Sequence, residues 1–84
     1  MQNTIQSTDL TFVAACLLFN KDIQVVTVTQ DFRGIKVFHL SPASEVNKLQ
    51  PLYARGEILL SPLLLANQIR QLKGWPVTSG GNYE

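Results

Sequence analysis

The sequence has very little cysteine. Cys16 is the single one among 84 residues, so an internal disulfide is excluded, and too few soft ligands remain for a structural zinc site. Chains without disulfides are typical of reducing compartments. The composition therefore predicts a cytoplasmic protein that binds no structural metal.

Long apolar runs and a signal peptide are also missing. The amino terminus MQNTIQSTD lacks the basic start of a secretory signal. The longest unbroken apolar run, residues 12–19, has eight residues, whereas a helix needs roughly 20 to cross a bilayer. We therefore expect no membrane span, although the stretch GEILLSPLLLANQIRQLKGW is rich in leucine.

Charge is scarce as well. Charged residues make up 15% of the chain and the net charge is +1, whereas charged residues average about 25% of a soluble domain. So small a net charge gives no long-range field to concentrate nucleic acid or anionic lipid. Because a surface with few charges favours association, we expect the chain to bind further copies of itself.

Residues that carry catalysis in other proteins are few and isolated here. His39 is the single histidine. A general base or metal ligand needs partner side chains that converge on it, and none is evident here. His39 lies in a segment that alternates as a strand does, which is typical of a packed or half-exposed side chain. Cys16 has no cation beside it and is interpreted as a buried, inert thiol. The carboxylates lie at helix starts, as Asp9 does, or at turns, as Asp31 does. Without a glycine-rich nucleotide loop either, the sequence predicts no enzyme and no cofactor.

The first half of the chain predicts one helix and one hairpin. Ser7-Thr8-Asp9 offers three N-cap side chains ahead of an apolar segment, so a helix is predicted over about residues 9–19. This helix carries two apolar stripes and must be covered all round, by its own domain or by a second copy. The β-branched runs DIQVVTVTQ and IKVFHL, joined by a segment that ends in Gly34, predict an antiparallel hairpin.

The second half predicts two helices. One begins within residues 41–45 and ends at Arg55-Gly56, but it contains Pro51, so it is either kinked there or begins near Asn47. The other has Ser61 as its N-cap and spans about residues 62–73. Its core stripe is formed by Leu65, Ile69 and Leu72.

Together these segments predict an α+β fold. An antiparallel β-hairpin packs with one N-terminal helix and two C-terminal helices, in the order α-β-β-α-α. The chain forms a single small domain, residues 1–84, because no linker divides it. Residues 1–6 and 76–84 lack the spacing of apolar residues that marks a helix or a strand, and they are expected to be mobile tails.

Several segments resemble a family of small uncharacterised bacterial and phage domains of about 80 residues, known as a domain of unknown function. The matching segments are Ser7-Thr8-Asp9-Leu10, Val37-Phe38, Leu52-Tyr53-Ala54-Arg55-Gly56-Glu57 and Ile69-Arg70-Gln71-Leu72-Lys73. The resemblance covers about residues 7–74. It implies an accessory role in bacteria, phages or mobile elements, and it carries over no functional residues.

The surplus of apolar surface predicts a non-enzymatic interaction protein that forms a homo-oligomer, in the simplest case a dimer. The side chains expected at the interface are Phe12, Phe19, Leu60, Leu63 and Leu64. A different protein as the partner stays open.

The alternative is a nucleic-acid-binding accessory or regulatory factor that uses cations of the hairpin tip and the last helix. Those cations are Arg33, Lys36, Arg70 and Lys73. A third hypothesis, an inhibitor of a host enzyme, follows from the resemblance alone.

Overall fold

The computed structural model of the chain describes residues 4–77. It shows an α+β fold of three helices and a three-stranded antiparallel sheet. In chain order the elements are β1 (Ile5–Ser7), α1 (Leu10–Phe19), β2 (Gln24–Gln30), β3 (Lys36–Ser41), α2 (Ala43–Ala54) and α3 (Pro62–Lys73). The predicted class is confirmed, and so is the order of helix, hairpin and two helices, which one further strand precedes.

That further strand, β1, lies beside β3, so β3 occupies the centre of the sheet in the order β1-β3-β2. Ile5 pairs there with Leu40. The prediction that residues 1–6 form a mobile tail is therefore wrong for Ile5 and Gln6, while residues 1–3 lie outside the described part of the chain. A strand of three residues is too short to show the period of two by which a sequence reveals a strand.

The prediction of a second mobile tail, residues 76–84, can be compared with the structure only as far as Val77. Trp75 and Val77 are partly buried and pack against the core, so the prediction is wrong for Val77. Residues 78–84 lie outside the part of the chain that the structure describes.

Helix α1 begins where the sequence predicts, because Asp9 caps it. The Asp9 Oδ1 atom accepts hydrogen bonds from the N–H groups of Thr11 at 3.1 Å and Phe12 at 3.2 Å. These are two of the four N–H groups that a helix start leaves without helical partners. The Asp9 N–H in turn donates to Ser7 Oγ at 3.1 Å, which links the end of β1 to the start of α1.

Helices α2 and α3 both run antiparallel to α1. The last turn of α2 shares a groove with Asp9, and Asn20, just after α1, donates a hydrogen bond to Glu45 in the first turn of α2. Lys73, at the end of α3, lines a pocket with Leu10 at the start of α1. The connection from α2 to α3 must therefore cross the whole length of α1.

This crossing explains how a helix that is apolar all round is covered within one domain. Residues 12–16 of α1 are all buried. The core side chains of the sheet pack on one side of the helix, α2 and α3 also contact it, and the crossing segment brings Ile58 against the core. A second copy of the chain is not needed to cover these residues.

Helix α2 starts at Ala43 and continues through Pro51 to Ala54. The alternative in which it begins near Asn47 is therefore wrong. Pro51 has no N–H to donate to the Asn47 carbonyl, but both residues are exposed, so water can hydrogen-bond that oxygen.

Helix α3 has the boundaries that its capping residues predict. Ser61 Oγ accepts a hydrogen bond from the Leu64 N–H at 3.4 Å, and Gly74 follows the last turn. Leu72 is fully buried, while Leu65 and Ile69 are partly buried against the core, so the predicted core stripe is confirmed. No helix within residues 4–77 has both the length and the apolar character needed to cross a membrane.

The fold has two distinct ends. Ile35 and Lys36, which close the hairpin turn, line a pocket with Thr8 and Lys73, so the turn lies where α1 begins and α3 ends. We call this the turn end. Because α1 and α3 pack against each other, and Leu10 at the start of α1 and Lys73 at the end of α3 both line this pocket, the last turn of α1 and the first turn of α3 both point away from the turn end.

Candidate interaction surfaces

His39 has a structural partner on the sheet. It lies between Phe38 and Leu40, which are both fully buried, so its side chain points to the face away from the helices. A hydrogen bond of 3.0 Å joins His39 Nε2 to Thr29 Oγ1. Within residues 4–77, no three His, Cys, Asp or Glu side chains are grouped so that they could hold a metal ion.

Cys16 is fully buried in α1. Burial raises the pKa of its thiol from the ordinary value of 9.0 to about 12, because the thiolate would lose its hydration. The thiol is therefore neutral at physiological pH, and a neutral thiol is a poor nucleophile.

Phe12, one of the predicted interface residues, is buried within the domain. Its side chain is only 5% exposed, and its ring packs edge-on against Tyr53 with 5.0 Å between the ring centroids. Helix α2 thus covers this side of α1. The sequence shows that this side needs cover, but it does not show which segment supplies that cover.

Four large apolar side chains are exposed in the last turn of α1, in the segment just before α3 and in the first turn of α3. They are Leu59 (86% exposed), Leu63 (69%), Leu64 (55%) and Phe19 (49%). We call these four residues the leucine end. Phe19, Leu63 and Leu64 belong to the interface set that the sequence predicts.

Of the neighbours Leu59 and Leu60, the structure exposes more fully the one to which the sequence assigns no role. Leu60, which was predicted at the interface, is half-buried, whereas Leu59 is exposed. Both belong to the segment that crosses α1. This segment is neither helix nor strand, so its side chains follow no regular spacing. Without a period, sequence reasoning cannot tell which side chain of Ile58, Leu59 and Leu60 faces outward.

The outer edge of β2 is a second surface that a copy of the chain could pair with, but it is irregular. The register between β2 and β3 shifts between Val25 and Thr27, and the intervening Val26 is exposed. A bulge bends an edge strand and interrupts the row of N–H and C=O groups that a partner strand needs. The leucine end is therefore the better surface for self-association.

Three of the four cations predicted to contact nucleic acid have partners within the domain, and two of these three belong to the hairpin. Lys36 Nζ donates to the main-chain oxygens of Lys73 at 2.7 Å and Trp75 at 2.6 Å. It thereby satisfies carbonyl groups at the end of α3, as basic side chains often do there. Arg33 forms an ion pair of 2.9 Å with Asp31.

The other two predicted contacts, Arg70 and Lys73, lie in the last turn of α3. Arg70 donates a hydrogen bond of 3.2 Å to Asn67. Lys73 shares a pocket with Lys36, so the structure brings these two cations together at the turn end. With Lys36 already bonded to carbonyl oxygens, this is a small basic surface rather than a stripe that follows a phosphate backbone.

The hairpin turn carries the most exposed large apolar side chain of residues 4–77, Phe32, which is 97% exposed. The Arg33 guanidinium carbon lies 5.7 Å from the centroid of its ring. Asp31 Oδ1 accepts hydrogen bonds from the N–H groups of Arg33 at 2.8 Å and Ile35 at 3.0 Å. Gly34 has a φ of +81°, which glycine adopts readily. We call residues 31–35 the hairpin tip, a turn whose backbone is held in one conformation.

Sequence analysis missed Phe32, although a signal was present. Central turn positions favour Gly, Asn, Asp, Ser and Pro, each for a backbone reason. Phenylalanine in the turn segment DFRG has no such reason, so its presence there indicated a role outside the turn itself.

The carboxylate of Asp31 gives the hairpin tip a pH dependence. The hydrogen bond from the Arg33 side chain, aided by the N–H groups of Ile35 and Arg33, holds the pKa of Asp31 below its ordinary 3.8. The stabilisation that this carboxylate provides is complete above the unfolded-state pKa and is lost as the pH falls through the lower folded-state pKa. We therefore expect an NMR titration of the side-chain carboxyl to give a value below 3.8.

A pair of arginine variants checks the cause of this shift. Arg33→Gln removes the ion pair and should raise the pKa of Asp31 toward 3.8. Arg55→Gln is the matched control, because Arg55 pairs with Glu57 instead and should leave the Asp31 titration unchanged. A value at or above 3.8 in the unmodified protein would show that the tip is not held in this way.

A groove of about 550 Å³ lies between the start of α1 and the last turns of α2. Phe12, Pro51, Tyr53 and Ala54 contribute its apolar lining, and Asp9 contributes a carboxylate. Burial raises the pKa of the Tyr53 hydroxyl, and the negative charge of Asp9 raises it further. The groove is thus an aromatic recess with a negative charge close to it.

No protein-family model, no curated protein and no solved structure matches this chain. The functional assignment therefore depends on the physical character of the leucine end, the hairpin tip and the groove.

Proposed function

We propose that the protein is a non-enzymatic interaction module that forms a homodimer through the leucine end. The observation that carries the proposal is the exposure of four large apolar side chains in the last turn of α1, the first turn of α3 and the segment just before α3, namely Phe19, Leu59, Leu63 and Leu64. Single exposed apolar side chains are normal in proteins, whereas a group of them indicates a contact surface. Each such side chain contributes roughly 1.5–3 kcal/mol when it moves fully from water into an apolar contact.

The sparse charge of the chain supports the same proposal. Interface centres are depleted in charged residues, and the leucine end consists of aliphatic and aromatic side chains alone. In a two-fold dimer each of these side chains is used on both copies. The turn end lies at the opposite side of the domain and stays free in such a dimer.

The reducing cytoplasm is the proposed place of action, supported by the single cysteine, which is a free, buried thiol. A protein whose cysteine is a free thiol does not depend on an oxidising compartment, because it has no disulfide to form. A phage or mobile-element setting, which the sequence resemblance implies, stays a prediction.

Nucleic-acid binding is the less favoured alternative. Lys36 is bonded to carbonyl oxygens and Arg33 to a carboxylate, so part of the predicted basic surface is neutralised within the domain. The net charge of +1 adds no field that would offset this loss.

Sedimentation equilibrium of the unmodified chain over a concentration series tests the dimer. The weight-average mass should rise from the 9.4 kDa of one chain toward twice that value, because association follows mass action. Added salt should change the curve little, since apolar contacts are not screened as charge pairs are. A mass that stays at 9.4 kDa up to the highest attainable concentration contradicts the proposal.

A further inference from the structure

The hairpin tip has no part in a dimer formed at the leucine end, because it lies at the turn end of the domain. Its Phe32 ring is nevertheless almost completely exposed. A phenyl ring in water adds little to the stability of its own domain, while aromatic side chains and arginine are both enriched where proteins contact one another. The tip thus presents a ring and a cation, which suit a partner surface that accepts both.

The groove on the same chain has both properties. We propose that the hairpin tip of one copy docks in the groove of a second copy. Phe32 enters the groove beside Tyr53, and Arg33 lies against the carboxylate of Asp9. This contact is independent of the leucine end.

The aromatic lining of the groove suits the Phe32 ring. Phe12 and Tyr53 form an edge-to-face pair with an interplanar angle of 65°, and aromatic rings prefer such edge-to-face or offset contacts with further rings. Pro51 and Ala54 are exposed residues of the lining, so the groove is open to solvent on the side of α2. Its volume of about 550 Å³ exceeds that of a single aromatic side chain.

Arg33 of the tip and Asp9 of the groove carry opposite charges, and each keeps hydrogen-bonding capacity beside the contacts it makes within its own chain. Arg33 uses Nη2 for its ion pair with Asp31, and a guanidinium has further N–H donors. Asp9 Oδ1 accepts both capping hydrogen bonds of α1, which leaves Oδ2 for a cation of the other copy. The contact between Arg33 and Asp9 therefore forms without breaking a bond that either chain needs.

The tip is also ordered before it binds. The two hydrogen bonds to Asp31 Oδ1, the ion pair with Arg33, and the hydrogen bond from the Gly34 N–H to the Asp31 carbonyl at 2.9 Å fix the turn in the free chain. Docking such a turn loses less conformational entropy than docking a flexible loop. The rigid turn thus favours a specific contact of Phe32 over transient ones.

Site-specific photo-crosslinking tests this contact. A chain carrying Phe32→benzoylphenylalanine is irradiated at a concentration where the unmodified protein associates, and the product of two joined chains is digested and mapped. The expected crosslink joins position 32 of one chain to residues 50–54 of the other. Leu63→Asp in the same chain should leave the crosslink in place, so a failure of the leucine-end dimer and a failure of this contact are distinguishable.

Two arginine variants on α2 supply the matched comparison. Ala54→Arg fills the groove and repels Arg33, and it should lower the yield of two-chain product at least about tenfold, as expected for a residue central to a contact. Asn47→Arg adds the same side chain at an exposed position of α2 that does not line the groove, and it should leave the yield unchanged.

Three results would overturn the proposal. The first is the absence of a two-chain product, and the second is a product that maps elsewhere or survives Ala54→Arg. The third is a crosslink to an added oligothymidine of roughly 16 nucleotides, a length within known single-strand site sizes, when that crosslink is unaffected by Ala54→Arg. It would assign the exposed ring of Phe32 to base stacking instead.

Discussion

Phe38→Ala lowers the free energy of unfolding by about 3–5 kcal/mol. Phe38 has no exposed surface and lies in the central strand β3, paired with Ser7 on one side and Val28 on the other. Because helices cover this face of the sheet, the surrounding side chains cannot collapse fully into the cavity. A domain of this size has a total stability on the order of 5–10 kcal/mol, so the loss removes a large part of it.

Urea unfolding, monitored by circular dichroism, measures this loss of unfolding free energy. Phe32→Ala is the matched control, because the same atoms are removed from a side chain that is 97% exposed, and its effect should stay within about 0.5 kcal/mol. Phe38→Leu leaves a smaller cavity and gives a measurable value if the alanine variant does not fold. Equal losses from Phe38→Ala and Phe32→Ala would place Phe38 outside the core.

Leu63→Asp raises the dissociation constant of the proposed dimer by roughly 1000-fold. Truncating a residue central to an interface costs at least about 2 kcal/mol, and a two-fold interface contains the residue twice. The sum of about 4 kcal/mol corresponds to three powers of ten. The aspartate also places two negative charges at a surface that would otherwise exclude water, which adds to the loss.

Gln71→Glu is the matched control for this variant. It also adds one negative charge to the exposed side of α3, but two turns further along the helix and away from the leucine end. Sedimentation should show a much weaker association for Leu63→Asp, with only the contact between hairpin tip and groove left, and an unchanged curve for Gln71→Glu. Both chains should unfold at similar urea concentrations, since neither replaced side chain is buried. If both variants associate as the unmodified chain does, the leucine end is not the interface.

The helices and the hairpin were predictable from the sequence because their signals are local. Asp9 and Ser61 accept hydrogen bonds from the first N–H groups of α1 and α3, and such caps can be recognised from a few neighbouring residues. Strand β1 was not predictable, because Ile5 becomes part of a strand only through its partner Leu40. That pairing joins residues far apart in the chain, which no local pattern shows.

The interaction surfaces were predictable in part, for the same physical reason. Leu63 and Leu64 lie off the core stripe of a helix whose period is clear, so the sequence shows that they face outward. Phe12 lies on a helix that is apolar all round, and its burial depends on the path of α2. The exposure of Leu59 likewise depends on how the connection crosses α1, which is a property of the assembled fold.

Methyl NMR on dilution tests the central claim, self-association through the leucine end, most directly. As the unmodified protein is diluted, the methyl signals of Leu59, Leu63 and Leu64 should shift together along one binding curve. Those of Leu40 and Leu72, which are buried in the core, should stay in place. Constant signals for the three exposed leucines over the whole concentration range would contradict the claim.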